Sequence, residues 1–403
     1  MKFRKTFYIL TLILVLLLSF TVTSFGISAE EKFENNRMGL ISVSYRGDTE
    51  NYPENSLEAI LSAKEIGADM VSVGVQKTKD LLILAEDENI GNFCNSKSES
   101  ISASYWDQDL ENCYLYDNSG KLTECKVACL YDALTVAEDI ILILDIDSED
   151  KDTVYDVVQY YGATGRVFLR FEENSSDIVQ WVNSKETKPN VIGIYNGNII
   201  WNAISHIENL SEVSSIVHYE SKNYFNVMYG SFVADRFSAE GKARALAPAY
   251  DRELCGQRED NASGWNELIE KGFSAIETNN IKSLVEYVNR ADALNLSLRK
   301  LTEKAEKTDL SVYSDVSADN LQKALRTAKA ELERGVSSVG ELESAKSQLL
   351  LAMNRLNLSD GKESQKGALN VTAGKVIAAV LVGAAILAGQ IYVHKMQKEK
   401  RRK

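Results

Sequence analysis

Between residues 41 and 290 the hydrophobic positions switch repeatedly between two periods. Ile41, Val43 and Tyr45 lie at every second position, as in a strand, whereas the runs between such segments repeat every three or four residues, as in helices. The predicted strands after the first are residues 70–75, 81–85, 140–146, 166–171, 190–195, 214–218, 225–234, 244–249 and 273–278. The predicted helices in the later part are 130–138, 154–161, 176–183, 201–208, 266–271 and 281–290. This alternation predicts an α/β fold, a (β/α)8 barrel of the TIM type.

Residues 42–87 contain the first complete strand, helix and strand of this pattern. Asn55 followed by Glu58 has the spacing of a capping box, so a helix is expected to begin there. Gly67 stands where a left-handed helix cap is needed, and Met70 begins the next strand.

Residues 293–357 change to a purely helical pattern. Three groups of apolar residues each share one helical face: Leu294, Leu298, Leu301 and Ala305; Leu321, Ala324, Leu325, Ala328 and Leu332; Val339, Leu342, Leu349, Met353 and Leu356. Ser338 and Glu341 have capping-box spacing. The pattern predicts a small three-helix bundle, followed by a polar linker at 358–373.

Both ends of the chain carry membrane signals. Residues 1–29 combine a basic start with an apolar run, which predicts either a cleaved signal peptide or an N-terminal anchor. Residues 374–394 predict a transmembrane helix, for which a buried helix of a soluble domain is the alternative. The basic tail at 395–403 is expected to stay in the cytoplasm. We therefore expect a single-pass protein of the cell membrane whose main domains are extracellular.

Charge and residue counts restrict the function classes. A net charge of −13 excludes general binding to nucleic acid, which needs a basic surface. No cysteine pair has zinc-ribbon spacing and the three histidines are scattered, so no structural zinc site is expected. His206 and His218 have no recognisable partner in the sequence and are predicted to be structural residues. Disulfides and reduced, buried thiols both remain open for the five cysteines: Cys94, Cys113, Cys125, Cys129 and Cys255.

Four short motifs in the first unit carry a family resemblance. RG at 46–47, PEN at 53–55, GAD at 67–69 and TKD at 78–80 resemble the start of the glycerophosphodiester phosphodiesterase family. The run GFSAIETNNIKSLVEYV at 272–288 is similar to the closing strand and helix of that family, with Thr278 kept and Asn279 in place of the usual aspartate. The resemblance covers residues 38–290 and implies the same barrel. Residues 293–357 resemble the FIVAR-type three-helix modules of bacterial surface proteins.

The resemblance implies hydrolysis of a phosphodiester by a divalent metal ion and two histidines, with an arginine holding the phosphate. Tyr45 stands where the family has its first histidine, and Arg46 keeps the arginine. Ser72 and Gly74 stand at the acidic metal-ligand positions of the second strand. Neither can supply a charged oxygen to a metal ion.

The remaining functional positions are also altered. Glu86 stands at the position of the second histidine, Asp145 at a metal-ligand glutamate, and Asp147 at a lysine that neutralises phosphate. Only Arg46 is intact, and Asp145 is a conservative change. Losing both histidines removes acid–base catalysis worth roughly 10²–10⁴-fold per group.

These replacements predict a pseudoenzyme, catalytically weak or inactive, that needs no cofactor and binds an anionic or sugar-like ligand through Arg46. The two ends of the chain predict that it is membrane-anchored and extracellular. One alternative is an active phosphoric diester hydrolase, in which Glu86, Asp87, Asp145 and Asp147 form a substitute site for Ca²⁺ or Mg²⁺. The other is a surface interaction or adhesion protein whose barrel is a rigid platform with a closed mouth. Whether the chain is an enzyme therefore stays open at this point.

Overall fold

The computed structural model describes residues 39–197, 199–223 and 244–358. Its strands are β1 (Ile41–Tyr45), β2 (Met70–Lys77), β3 (Leu82–Leu84), β4 (Tyr114–Tyr116), β5 (Leu122–Lys126), β6 (Ile141–Asp145), β7 (Val167–Phe171), β8 (Asn190–Tyr195), β9 (Ile216–Tyr219), β10 (Arg244–Pro248) and β11 (Ala275–Thr278). Eight of them form a parallel barrel in the order β1, β2, β6, β7, β8, β9, β10, β11, which closes because β11 pairs with β1. The predicted TIM-type fold is therefore confirmed. The strand predicted at 225–234 lies outside the described residues.

Helices follow the strands as the pattern predicts. They are α1 (Leu57–Ile66), α2 (Leu130–Val136), α3 (Lys151–Tyr160), α4 (Ser175–Ser184), α5 (Ile200–Leu210), α6 (Ala262–Glu270), α7 (Ile281–Glu306), α8 (Asp315–Glu333) and α9 (Val339–Asn354). The helix predicted at 281–290 is longer than expected, because α7 continues without a break to Glu306.

One apolar cluster receives side chains from all eight barrel strands and fills the barrel interior. Its members are Ile41, Val43, Met70, Ile141, Ile143, Phe168, Ile192, Ile216, Leu246 and Ala275. Side chains alternate along a strand, so the residues two positions further along each strand point to the same interior. The apolar core therefore lies directly beneath the interior side chains at the carboxyl ends of the strands.

The start of α1 differs from the predicted capping box. The N-cap is Ser56, whose hydroxyl accepts a hydrogen bond from the Ala59 amide at 3.1 Å. Asn55 is instead buried, and its side-chain oxygen accepts a hydrogen bond from the Gly74 amide of β2 at 2.9 Å. Asn55 thus ties the loop after β1 to the next barrel strand. Gly67 ends the helix in the left-handed conformation, as predicted.

The segment between β3 and α2 has a small core of its own. The β4–β5 hairpin packs with loop residues around Ile90, Ile101 and Leu110, and Cys94 and Cys125 are buried in the same cluster. All five cysteines are free thiols. Of the two states left open by the sequence, the structure therefore has the reduced one.

The chain divides into two compact units. The first comprises the barrel and residues Glu331–Leu342, and the second comprises Ser297–Ala330 and, within the described residues, 343–358. The second unit is helical and buries Leu298, Leu321 and Leu349. Within the first unit, Ser338 and Glu341 form the predicted capping box, since each side chain accepts a hydrogen bond from the other's backbone amide.

No helix within the described ranges is long and apolar enough to cross a membrane. The two segments predicted to do so, 1–29 and 374–394, lie outside those ranges. Membrane attachment therefore stays a prediction.

Replacing Asn55 with alanine should lower the free energy of unfolding by about 2–4 kcal/mol. The change leaves the buried Gly74 amide without an acceptor and puts a side chain without a local partner at φ 58°. Urea denaturation of the purified chain measures this loss. Asn118→Ala is the matched control, because Asn118 is exposed and should change stability by no more than about 0.5 kcal/mol. Equal effects of the two changes would contradict the role given to Asn55.

Candidate site at the mouth of the barrel

Polar residues form a layer directly above the apolar core, at the carboxyl ends of the barrel strands. Alternation along the strands places them on the interior face, two residues after core positions. They are Tyr45, Ser72, Asp145, Arg170, His218 and Glu277. Catalytic groups of TIM barrels lie at this end, so this layer is the candidate functional site.

Arg170 lies at the centre of this layer and holds two carboxylates. Its Nη1 is 2.6 Å from Glu277 Oε2 and its Nη2 is 2.9 Å from Glu277 Oε1. Its Nη2 also lies 2.7 Å from Asp145 Oδ2, and its Nε donates to Asp145 Oδ1. The side chains of Arg170 and Glu277 are 3% and 0% exposed. Charged groups this deeply buried are retained only when paired and fully hydrogen-bonded, as they are here.

His218 completes the group around Arg170. Its Nδ1 lies 3.2 Å from Arg170 Nη1, and its Nε2 lies 3.6 Å from Glu220 Oε1. Burial, together with the neighbouring Arg170 charge, lowers the pKa of His218 well below its usual range. The ring is therefore neutral at physiological pH. The sequence offered no recognisable partner for His218, and the structure supplies one, because barrel closure brings the ring against Arg170.

Arg46 is paired within the site. Its Nη1 is 2.7 Å from Glu54 Oε2 and its Nη2 is 3.0 Å from Glu86 Oε1. The guanidinium carbon also lies 4.5 Å from the centre of the Tyr45 ring, which stacks in parallel on Tyr250 with 3.5 Å between ring centres. Partial burial raises the pKa of Glu86, and the Arg46 charge opposes that rise. The positive charge of Arg46 is thus already balanced by two carboxylates.

The side chain of Glu86 lies directly beside Gly74. A Cβ atom placed on Gly74 would lie 2.7 Å from Glu86 Oε2 and 2.9 Å from the carbonyl carbon of Ala85. These contacts are closer than real Cβ atoms allow, and because the Ala85 atoms belong to the backbone, only glycine fits at this position. Ser72, at the other metal-ligand position that the family resemblance implies, is fully buried. Its neutral hydroxyl supplies no charge.

The donor set does not fit a divalent cation. Both oxygens of Asp145 are bonded to Arg170. Asp87 and Asp147 are exposed, and Asp87 bonds the nearby amides of Asn89 and Asn92. Across the described residues, no three or more His, Cys, Asp or Glu side chains are grouped so that they could hold a metal ion. The substitute carboxylate site expected for an active enzyme is therefore not formed.

His206 stands apart from this site. It is buried against the Tyr195 ring, with 5.2 Å between ring centres. Burial lowers the pKa of His206 to about 4. His394, the third histidine, lies outside the described residues.

Arg170 and Glu277 were missed by reasoning from the sequence. A local signal was present, since each is a charged residue inside an otherwise apolar strand, VFLRF and AIET. Strands of a parallel barrel are buried on both faces, so a charge in such a run needs a partner. The sequence does not indicate which partner, because the two residues are 107 positions apart.

Comparison with known proteins agrees with this geometry at the level of the fold. Residues 46–193 match the model of the glycerophosphoryl diester phosphodiesterase family. A glycerophosphodiester phosphodiesterase of Caldanaerobacter subterraneus subsp. tengcongensis is 38% identical over 61 residues, which is 15% of this chain and 25% of that protein. The chain thus spans about a quarter of the curated relative it matches.

Solved structures extend the similarity over the barrel. A glycerophosphoryl diester phosphodiesterase from Parabacteroides distasonis aligns with a TM-score of 0.51 and 19% identity, over 62% of this chain and 86% of that one. A glycerophosphodiester phosphodiesterase from Agrobacterium tumefaciens aligns with a TM-score of 0.46 and 15% identity, over 61% and 99% of the two chains. At such identities the likeness to the first of these structures establishes the fold alone.

Replacing Gly74 with alanine should lower the free energy of unfolding by about 1–3 kcal/mol, because the new methyl group overlaps Glu86 and the Ala85 backbone. Urea denaturation of the purified chain is the measurement. Gly165→Ala is the control, since nothing lies within 4 Å of a Cβ atom placed there. A Gly74→Ala chain as stable as the control would show that Glu86 does not fill the space beside Gly74.

His206 should make the protein less stable as the pH falls. Its folded-state pKa of about 4 lies below the ordinary value of 6.5, so the unfolded chain takes up the proton first. The contribution of neutral His206 to the free energy of unfolding is fully present above about pH 6.5. It is lost as the pH falls towards about 4, by about 1.4 kcal/mol per pH unit and about 3 kcal/mol in total. Urea denaturation of wild-type protein and His206→Gln, from about pH 7 to about pH 5, measures the difference. Parallel pH profiles for the two proteins would contradict this account.

Proposed function

We propose that this chain is a membrane-anchored, extracellular barrel protein related to the glycerophosphodiester phosphodiesterases that does not hydrolyse phosphodiesters. The observation that carries the proposal is the pairing of both Asp145 oxygens with Arg170. Asp145 is the last carboxylate left at the metal-ligand positions that the family resemblance implies. With its oxygens bonded to a guanidinium, no ligand remains for a catalytic cation.

The acid–base groups are also unsuited to hydrolysis. Tyr45 stands at the first histidine position, and burial raises the pKa of its phenol above the usual range, so it stays protonated at neutral pH. Glu86 stands at the second position and is held in an ion pair with Arg46. Tyr45 therefore does not exchange protons near neutral pH in the way that a histidine does.

The charge at the mouth favours a neutral, hydroxyl-rich ligand over an anionic one. Arg46 and Arg170 face four carboxylates, those of Glu54, Glu86, Asp145 and Glu277, so the group as a whole is negative. A phosphate approaching Arg46 would meet Glu54 and Glu86 at the same place. Sugar hydroxyls can instead donate hydrogen bonds to carboxylate oxygens. Of the two ligand classes expected from the sequence, we therefore favour the sugar-like one.

We infer the cellular location from the C-terminal segment of the chain. The basic residues at 395–403 favour the cytoplasmic side, and the apolar run before them has the length of a bilayer span. A net charge of −13 would keep the rest of the chain off an anionic lipid surface. The proposal therefore has the barrel outside the cell, attached through the C-terminal helix.

The purified full chain should release no product from glycerophosphocholine above the uncatalysed background, whether Mg²⁺, Ca²⁺ or Mn²⁺ is added. The reason is the missing metal site and acid–base pair. The enzyme of Caldanaerobacter, assayed alongside, shows that the conditions support turnover. Inorganic phosphate should also leave the melting temperature unchanged.

Arg46→Ala serves as the control variant for this assay. Metal-dependent release by the wild-type chain that disappears in Arg46→Ala would overturn the proposed function. We expect both chains to release product only at the uncatalysed background rate.

A further inference from the structure

We infer that Cys94 and Cys113 form a disulfide site, which a thiol oxidant outside the cell closes, and that the bond fastens the segment between β3 and α2. Both thiols are reduced in the structure, and their side chains are in contact. The inference goes beyond the proposed function and rests on it only for the extracellular oxidant. Its test measures the state of the two sulfur atoms and does not depend on turnover.

The backbone brings Cys94 opposite the start of β4. Cys94 forms an antiparallel bridge with Leu115. The next amide, that of Asn95, donates a hydrogen bond to the Tyr114 carbonyl at 3.1 Å. Cys113 comes directly before Tyr114 in the chain. The two cysteines therefore lie on facing stretches of backbone that hydrogen bonds already hold together.

Both side chains belong to the same small core. Cys94 is 1% exposed within the cluster around Ile90, Ile101 and Leu110, and Cys113 packs against that cluster. The side chains of Cys94 and Cys113 are also within hydrogen-bonding distance of each other. Side chains in contact on segments fixed by the backbone meet the first requirement of a disulfide, which is that it forms without a large backbone movement.

The other three thiols each have a different hydrogen-bond partner. Cys125, Cys129 and Cys255 bond the side chain of Glu58, the side chain of Asp132 and the carbonyl of Arg258, respectively. The structure therefore favours the pairing of Cys94 with Cys113.

Exposure sets the order of the reaction with a disulfide oxidant such as oxidised glutathione. Cys113 is only partly buried, so its thiolate attacks the oxidant first and releases one glutathione thiol. Burial raises the pKa of Cys94 to about 11, so this thiol stays protonated until then. Cys94 then loses its proton and attacks the Cys113 sulfur of the mixed disulfide, which releases the second thiol. The protein loses two electrons and two protons, and glutathione gains them.

The bond fastens a segment whose own core is small. It closes residues 94–113 into a loop of about 20 residues, which restricts the unfolded chain. Secreted proteins commonly secure segments with small hydrophobic cores in this way.

The purified full chain should form one disulfide in a mixture of oxidised and reduced glutathione. Remaining thiols are blocked with N-ethylmaleimide in denaturant, and digestion with mass spectrometry identifies the linked peptides. We expect Cys94 linked to Cys113, with the blocking group on Cys125, Cys129 and Cys255. In excess reductant all five cysteines should carry the blocking group.

The oxidised chain should melt about 5 °C above the reduced chain, because the bond restricts the unfolded state. Cys113→Ala should have one melting temperature under both conditions. Cys125→Ala is the matched control, since Cys125 lies in the same cluster and its loss should leave the disulfide and the shift unchanged.

A single variant tests the order of the two steps. Cys94→Ala should retain a glutathione on Cys113, because the thiol that would displace it is gone. Cys113→Ala should leave Cys94 unmodified, because that thiol is buried and protonated.

A folded wild-type chain that keeps five free thiols in the glutathione mixture overturns the inference, and so does a disulfide between any other pair. This measurement needs no substitution, so it does not depend on the folding of a variant. Turnover by the wild-type chain would instead overturn the proposed function and leave this inference intact, so the two failures are distinguishable.

Discussion

The buried pairing of Arg170 with Asp145 and Glu277 is the interaction on which the centre of the barrel depends. It joins strands that are far apart in the sequence and pairs one guanidinium with two carboxylates, of which that of Glu277 is fully buried. Removing one partner from such a group costs about 3–5 kcal/mol, because a buried charge is left uncompensated. The same pairing uses both oxygens of Asp145.

Gly74 and Glu86 are neighbours in this site. The Ala85 backbone and the carboxylate of Glu86 both lie against Gly74, so a side chain at position 74 would overlap them. Glu86 in turn pairs with Arg46, which leaves that arginine with two carboxylate partners. The framework keeps the barrel in shape through contacts such as the bond from the Gly74 amide to Asn55. The mouth thus holds two groups of ion pairs, one around Arg46 and one around Arg170.

The barrel itself could be predicted, because the alternation of strands and helices and the cap at Gly67 are local patterns. The capping box at Ser338 is local in the same sense. At the start of α1 the prediction failed, because Asn55 and Ser56 are both good N-cap residues and only the position of β2 decides which one turns inwards.

Only part of the candidate site could be predicted from the sequence. Tyr45, Arg46, Ser72, Gly74 and Glu86 were found because they lie beside short family-like motifs. The partners of Arg170 lie on strands whose neighbours are decided by closure of the barrel, which no local pattern encodes. The candidate residues beside the motifs were therefore visible in the sequence, whereas the ion pairs of Arg170 were not.

An experimental crystal structure of the wild-type protein soaked in Mn²⁺ would test the central claim most directly, through anomalous scattering at the barrel mouth. We expect the Arg170 guanidinium between Asp145 and Glu277, with no anomalous peak beside either carboxylate. An Mn²⁺ peak within about 2.5 Å of an Asp145 oxygen, with Arg170 displaced, would contradict the account.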